Sequence, residues 1–358
     1  MRQRGAIIRL GLAVLCLLGL TGCTLPGTTQ PVLKIGLVAP FEGWYRPRGY
    51  DALWAVRLAI QEANRGGGVT GYQVELVALD DHLDPYWASQ RARELVADPA
   101  VMGAVGCFSP ATAQAARPVY SAAGLPLITP ASVEAQGDGV FVLAPTPDAL
   151  ARAATGHIRL SAVSGQPRVA LLYDEGGEFW AKAVGREVEV VADVGLDRQG
   201  WLELLLQAHP DWVICTAGAR LGGETLQQAR SAGLRGSFMG GPEWGTDAFR
   251  KVAGSAASDA WFVTGAPRGE DVRGGQDFLL AYRELGGQEP GPDAVLAYDA
   301  TRMLLAALRE AIQREGHPTR QGVTEALSEV SLSGVTGLIR FDRWGARREA
   351  PVWVYCAD

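Results

Sequence analysis

Nearly continuous apolar runs alternate with amphipathic helical patterns along most of this chain. The run Val32–Ala39 is typical of a strand buried on both faces, while residues 51–64 place Leu53, Val56 and Ile60 at helical spacing. This alternation predicts a parallel sheet covered by helices. A chain of 358 residues exceeds what one hydrophobic core usually supports, so two domains are expected.

The alternation begins again after residue 146, so each half of the chain has its own strands and helices. Proline at the first helical position predicts helix starts at Pro85, Pro110 and Pro147. The repeat predicts an α/β fold of two doubly wound lobes, in which ligands bind beyond the carboxyl ends of the strands. Further elements are predicted as strands at 72–79, 101–107, 125–129, 168–173, 212–216, 238–240 and 261–264, helices at 223–232 and 293–314, and a β-hairpin at 338–355.

Composition excludes disorder and argues against a nucleic-acid partner. Hydrophobic residues make up 47% and charged residues 20% of the chain, enough for a large core. The formal charge of −6 provides no basic patch of the kind that nucleic acid requires. The chain has 30 Arg, 3 Lys and one Asn, which fits either heat adaptation or GC-rich coding.

The first 23 residues have the pattern of a secretory signal. Arg2, Arg4 and Arg9 precede an uncharged apolar run at 10–20, which is too short to span a membrane. The sequence Leu-Thr-Gly-Cys at 20–23 resembles a bacterial lipobox, and the resemblance implies cleavage before Cys23 and a lipid on its thiol. The alternative is an ordinary signal peptide with an incidental cysteine.

Loss of residues 1–22 would remove three Arg and no acid, which changes the charge from −6 to −9. Residues 23–31 are then a flexible tether, and the lipid on Cys23 holds an acidic body at a membrane. This predicts an extracytoplasmic, membrane-anchored protein, in the periplasm or on the outer face of the cell membrane.

The remaining cysteines and histidines provide no metal or catalytic motif. Cys107, Cys215 and Cys356 are an odd number, spaced too widely for a CxxC site. Buried free thiols are the favoured interpretation, and one disulfide among the three stays open. The chain has no P-loop, HExxH or GxSxG motif. We therefore expect no cofactor, no metal, no catalytic residue and no enzymatic activity.

Seven segments carry one resemblance in order along the chain: 34–40 (KIGLVAP), 59–71, 80–85, 106–109, 124–132, 226–243 and 297–300. Together they resemble leucine/isoleucine/valine-type solute-binding proteins of ABC transporters, the type I periplasmic class. This resemblance implies two α/β lobes joined by three hinge strands that cross near 144–147, 264–267 and 333–337. Lobe 1 would contain residues 32–145 plus 266–334, and lobe 2 residues 146–265 plus 335–358.

The resemblance implies a ligand site at the strand ends. Ser109, where a helix begins, can hold an anion with its hydroxyl and nearby N–H groups, and the family's carboxylate-binding Ser lies in this turn. A plain N-cap is the alternative. Glu243 matches the acid with which the family's amino-acid binders accept the ligand ammonium. The alternative is that Glu243 is a solvated loop residue. Other implied contacts are Phe108, Ala131, Ser132 and Val133.

The chain departs from the family pattern at several of these positions. Val133 stands where the family has a Thr, so either Ser132 supplies the hydroxyl or the ligand differs. Glu178 (or Phe179) and Gly218 stand where amino-acid binders have aromatic residues. Trp44 is a candidate for contact with an apolar ligand in a first-lobe loop that is bulky and charged.

The resemblance predicts a monomer that captures a small amino-acid-like, amide or carboxylate solute by hinge closure. Its partners would be the solute, an ABC permease in the cytoplasmic membrane and the membrane itself, through the lipid on Cys23. A lipid-anchored regulatory protein of the cell envelope with a vestigial pocket is the alternative that the departures favour. A sensor subunit would need a partner, since the chain has no receptor domain of its own.

Overall fold

The computed structural model describes residues 30–162, 165–174, 178–272 and 275–357. Its first sheet has five strands in the order β2-β1-β3-β4-β5, and every pairing is parallel. These strands lie in the chain order expected for a doubly wound lobe. They are β1 (Val32–Ala39), β2 (Gln73–Asp80), β3 (Val101–Gly106), β4 (Leu127–Thr129) and β5 (Val140–Val142).

A second sheet has six strands in the order β13-β10-β9-β8-β6-β7. All pairings are parallel except that the last strand of the chain runs antiparallel to β10. A separate two-stranded hairpin pairs β11 with β12. The strands are β6 (Val169–Tyr173), β7 (Val190–Gly195), β8 (Trp212–Cys215), β9 (Ser237–Gly240), β10 (Ala260–Thr264), β11 (Leu332–Gly334), β12 (Gly337–Ile339) and β13 (Trp353–Cys356).

Helices cover both sheets, and those that begin at Pro85, Pro110 and Pro147 confirm the predicted starts. In each, the preceding residue caps the helix, as when Asp84 accepts hydrogen bonds from the N–H groups of Tyr86 and Trp87. The helices are α1 (Arg46–Arg65), α2 (Pro85–Ala97), α3 (Pro110–Ala122), α4 (Pro147–Ser161), α5 (Glu178–Gly185), α6 (Trp201–Ala208), α7 (Ala219–Ser231), α8 (Asp247–Ala253), α9 (Gln276–Gly286), α10 (Pro292–Glu315) and α11 (Arg320–Glu329).

Each sheet separates two apolar clusters, one on each face. Ile35 and Leu37 of β1 pack in the cluster that contains α1 and α10, whereas Val38 packs in the cluster on the opposite face. In the second lobe, Leu172 and Leu171 of β6 likewise belong to clusters on opposite faces. Burial on both faces is the reason why these strands are nearly continuous apolar runs.

Three connections join the lobes, and the third lies later in the chain than predicted. The first follows β5 and the second follows β10. Ile339 and Phe341 pack in the first-lobe core, so the chain has not yet crossed at 333–337. It crosses before β13, which pairs with β10 in the second sheet. The hairpin predicted at 338–355 is present only as a tight antiparallel turn that pairs Phe341 with Arg347, and it does not extend to β13.

Asp299 of α10 holds this late segment on the first lobe. Its fully buried carboxylate accepts hydrogen bonds from Val335 N at 2.8 Å, Thr336 N at 2.8 Å and Thr336 Oγ1 at 2.6 Å. Burial raises the pKa of Asp299, although these hydrogen bonds favour its charged form. The carboxylate thus fixes the β11–β12 hairpin against α10.

Cys107 and Cys215 are free thiols, as the favoured interpretation predicted. Cys107 and Cys215 are fully buried, and burial raises the pKa of Cys215 to about 12. The proposed lipidation site, Cys23, lies outside the described residues. Within the described residues, the search for a helix long and apolar enough to cross a membrane found none.

Asp299→Ala should lower the free energy of unfolding by about 3 kcal/mol, because it leaves three buried or partly buried donors without an acceptor. Urea denaturation followed by circular dichroism measures the loss. Glu284→Ala, at an exposed position of α9, is the matched control and should change stability little. An equal effect of the two substitutions would contradict the role given to Asp299.

Candidate functional site

A cavity of about 370 Å³ lies between the two lobes, with walls from both. Its lining residues lie in the loops after β1, β2, β3, β4, β6, β8 and β9 and in the helices that follow strands, so the cavity is at the carboxyl ends of the strands, as predicted. The lining is mostly apolar, with a few polar groups. It consists of Tyr45, Leu83, Ser109, Pro110, Ala111, Gln114, Ser132 and Val133 of the first lobe, and Pro147, Leu150, Asp174, Trp180, Thr216, Ala217, Gly218, Gly241, Pro242 and Glu243 of the second.

An ion pair between the lobes lies at the edge of this cavity. Arg48 of α1 donates from Nη1 to Glu243 Oε1 of the second lobe at 2.9 Å. On its own lobe, Arg48 donates to Asp293 from Nε at 2.7 Å and from Nη2 at 3.1 Å, and to the Phe108 carbonyl at 2.9 Å. The arginine side chain is only 12% exposed. Arg48 thus connects two carboxylates from different lobes.

The surroundings keep Arg48 charged and Glu243 in place. Burial lowers the pKa of Arg48, but the charges of Asp293 and Glu243 outweigh that effect and raise it. The second oxygen of Glu243 accepts from Ala219 N, at the start of α7, at 3.0 Å. A Cβ on Gly218 would lie 2.7 Å from this oxygen. Glycine at 218 therefore leaves room for the carboxylate.

Ser109 borders the cavity, and its hydroxyl already caps a helix. Its Oγ accepts a hydrogen bond from Thr112 N at 3.2 Å and lies 3.0 Å from Thr112 Oγ1. The N-cap that the sequence predicted is therefore present at the cavity edge. Its proximity to the cavity is also what a binding role requires.

The loop after β4 brings three predicted residues to the cleft, with their polar groups engaged in the protein. Ser132 Oγ donates to the Pro145 carbonyl at 2.6 Å, which ties the loop to the first connection between the lobes. Ala131 N donates to Thr129 Oγ1 at 3.1 Å, and Ala131 borders a smaller adjoining cavity of about 100 Å³. Val133 is 2% exposed and contributes an apolar surface.

The remaining predicted residues lie in different places. Phe108 is buried and offers its carbonyl to Arg48. Trp44 is 41% exposed and faces Lys251 of the second lobe, with the ammonium 5.8 Å from the ring centroid. Its neighbour Tyr45 lines the cavity instead. Glu178 begins α5, and its side chain lies outside the described part of the structure.

Trp180 and Thr216 are cavity residues that the sequence analysis missed. Within the described chain, Trp180 Nε1 and Thr216 Oγ1 are buried and have no hydrogen-bond partner. The indole N–H can only donate a hydrogen bond. A bound solute with an oxygen acceptor would satisfy it. Thr216 follows β8 directly, so its position at the end of a predicted strand could have identified it from the sequence. Trp180 lies in a helix, where no such signal exists.

A group of possible metal ligands lies at the surface. Glu42, Asp80 and His82 each place one ligand atom within 4.8 Å of the others. His82 Nδ1 lies 3.1 Å from Asp80 Oδ2. Such a pair between partly exposed groups needs no bound ion to explain it.

Comparison with known proteins connects this geometry to one family. The model of the periplasmic binding protein family matches residues 32–358. The leucine-, isoleucine-, valine-, threonine-, and alanine-binding protein of Pseudomonas aeruginosa is 26% identical over 342 residues, which cover 90% of this chain and 89% of that protein. The Leu/Ile/Val-binding protein of Escherichia coli is 24% identical over 295 residues, 78% of this chain and 80% of that protein.

Solved structures confirm the predicted two-lobed α/β fold. The branched-chain amino acid transporter substrate binding protein of Streptococcus pneumoniae, in complex with isoleucine, superposes with a TM-score of 0.79 at 23% identity, covering 90% of this chain and 95% of that one. A solute binding protein of R. palustris in complex with benzoate superposes with a TM-score of 0.75 at 19% identity, covering 91% and 93%.

Glu243→Gln should open the solute-free protein, because the amide keeps the size of the side chain but removes the charge that attracts Arg48. A loss of about 1.4 kcal/mol changes the closed-to-open ratio roughly tenfold. Small-angle X-ray scattering should then show a larger radius of gyration.

The matched control is Glu224→Gln, which affects an ion pair with Arg220 inside α7 of one lobe. Its scattering should equal that of the wild type. Unchanged scattering from Glu243→Gln would show that the ion pair does not contribute to closure.

Proposed function

The chain belongs to the periplasmic binding protein family, and we propose that it captures a small, largely apolar solute with amide, carboxylate or amino-acid character. The two lobes close on this solute, and the protein delivers it to an ABC permease. Family membership agrees with the expectation that the chain is a binding protein and not an enzyme.

One observation carries this proposal: a cavity of about 370 Å³ is lined from both lobes. A solute held there contacts both lobes at once, so it binds the closed arrangement more tightly than the open one. That difference in affinity is the free energy available to drive closure. Three connections at one side of the cleft supply the hinge.

The relatives indicate the size of the solute. The proteins of Pseudomonas aeruginosa and Escherichia coli are both named for binding leucine, isoleucine and valine, and the first also for threonine and alanine. The superposed structures hold isoleucine and benzoate. Each of these ligands has a small apolar body and a carboxylate. The mostly apolar lining suits such a body, and the buried donors of Trp180 and Thr216 suit its oxygen atoms.

A vestigial pocket, the alternative of a purely regulatory lipoprotein, has less support. A pocket without a ligand has no use for buried polar atoms that lack partners, because each such atom costs stability. Trp180 Nε1 and Thr216 Oγ1 are two such atoms, and both belong to residues that line the cavity. They favour capture of a solute.

Calorimetry tests the proposal with a panel of branched-chain amino acids, their amides and the corresponding carboxylic acids. We expect at least one to bind and to raise the melting temperature. Trp180→Phe should weaken that solute about fivefold, or about 1 kcal/mol, through loss of the indole donor. Trp87→Phe, at an exposed residue of α2, is the control. If the whole panel fails to bind, solute capture of this class is wrong.

We also propose that the protein works outside the cytoplasm, held at a membrane by a lipid on Cys23. The lipobox at 20–23 and the uncharged run before it support this location.

Cys23→Ser should release the protein from the membrane, since no thiol remains to receive the lipid. Fractionation of cells that express each form, followed by immunoblotting, measures the distribution. The control is Cys356→Ser, which removes a cysteine outside the lipobox. This variant should stay membrane-bound. A Cys23→Ser protein that remains in the membrane fraction would refute the lipid anchor.

A further inference from the structure

Both carboxylate oxygens of Glu243 accept hydrogen bonds from the protein itself. Oε1 accepts from Arg48 Nη1 at 2.9 Å, and Oε2 accepts from Ala219 N at 3.0 Å. A carboxylate is the natural acceptor for a solute ammonium, and Glu243 borders the cavity. If a solute ammonium reached Glu243, Arg48 would already balance the negative charge of Glu243.

Arg48 is held too firmly to leave Glu243 to a solute. Two of its nitrogens bind the two oxygens of Asp293, at 2.7 and 3.1 Å, and Nη2 also donates to the Phe108 carbonyl at 2.9 Å. Such bidentate pairing fixes the plane of the guanidinium. A solute ammonium at Glu243 would consequently lie close to a fixed like charge in a poorly solvated cleft, where repulsion is strong.

Residues of the cavity lining carry polar atoms that have no hydrogen-bond partner within the described chain, and these atoms favour acceptors on the solute. In the described part of the chain these include the Trp180 indole N–H, which can only donate, and the Thr216 hydroxyl. A carboxylate or carbonyl oxygen satisfies both, whereas an ammonium satisfies only the hydroxyl. The chemistry of the cavity thus agrees with the position of Arg48.

We propose, on the basis of the solute-binding function above, that Arg48 is a specificity-determining residue that takes the place of a solute ammonium on Glu243. The cleft then selects apolar solutes that carry oxygen acceptors and no ammonium group, such as short branched carboxylates and amides, over the corresponding amino acids. Asp174, the other acid of the lining, is the residue through which an ammonium could still bind, and the experiment includes it.

The test compares solutes that share an isobutyl group and differ in the ammonium. Purified protein is unfolded and refolded to remove co-purified solute, and calorimetry then measures L-leucine, 4-methyl-2-oxopentanoate, 4-methylpentanoate and 4-methylpentanamide. We expect at least one compound without an ammonium to bind at least tenfold more tightly than leucine. Leucine affinity equal to or tighter than all three would overturn the inference.

Arg48→Met removes the charge and retains a long side chain, so Glu243 becomes available to an ammonium. Leucine affinity relative to the other three compounds should rise at least tenfold in this variant. Arg93→Met, at an exposed arginine of α2, should leave the ratio unchanged. If Arg48→Met does not fold, the wild-type comparison decides by itself.

Asp174→Asn separates the two acids. If the wild type binds leucine well and Asp174→Asn weakens leucine alone by tenfold or more, the ammonium binds Asp174 and the inference is wrong. Tight leucine binding overturns the inference and leaves the proposed function intact. If none of the four compounds binds and the wider panel fails as well, the proposed function fails together with the inference.

Discussion

One buried guanidinium joins the two lobes of this protein. Burying a charge is costly unless partners surround it, and Arg48 finds its partners in three other segments of the chain. Asp293 lies in the first turn of α10, Phe108 follows β3, and Glu243 follows β9 on the other lobe. Because all must converge on one planar group, their positions depend on one another. The cleft is therefore organised around Arg48. The groups that line the cleft are those that remain accessible once these segments have met at the guanidinium.

The parallel sheets explain why a site forms here at all. Parallel strands end at the same edge of a sheet, so the loops after them collect there. With two lobes facing each other, those loops enclose a cavity whose apolar surface receives the body of a solute. Two residues of the lining, Trp180 and Thr216, also carry a polar side-chain atom without a hydrogen-bond partner within the described chain. Ser109 and Ser132 contribute differently, because their hydroxyls already hold the backbone of the loops that border the cavity.

The parts of the fold that were predicted well are those with local causes. β1 has the predicted bounds, and the three helix starts at proline depend on the residue before them. The third connection was misplaced because its position depends on Asp299, which lies 36 and 37 residues from the backbone groups that it binds. The loop that contains Trp44 and Tyr45 was predicted to contribute an aromatic ring. Which of the two neighbours enters the cavity depends on packing, since Trp44 faces Lys251 instead.

The amino-acid sequence by itself determined the class of fold, the two lobes and the edge at which a ligand site would form. Hydrophobic periodicity and helix caps act between near neighbours, so they can be read along the chain. The tertiary structure decided which charged group pairs with Glu243, the acid that the sequence had singled out. The charge of Glu243 is paired with that of an arginine 195 residues away, and Trp180 lines the cavity. Charge pairing acts through space, and no local pattern shows which arginine reaches which carboxylate.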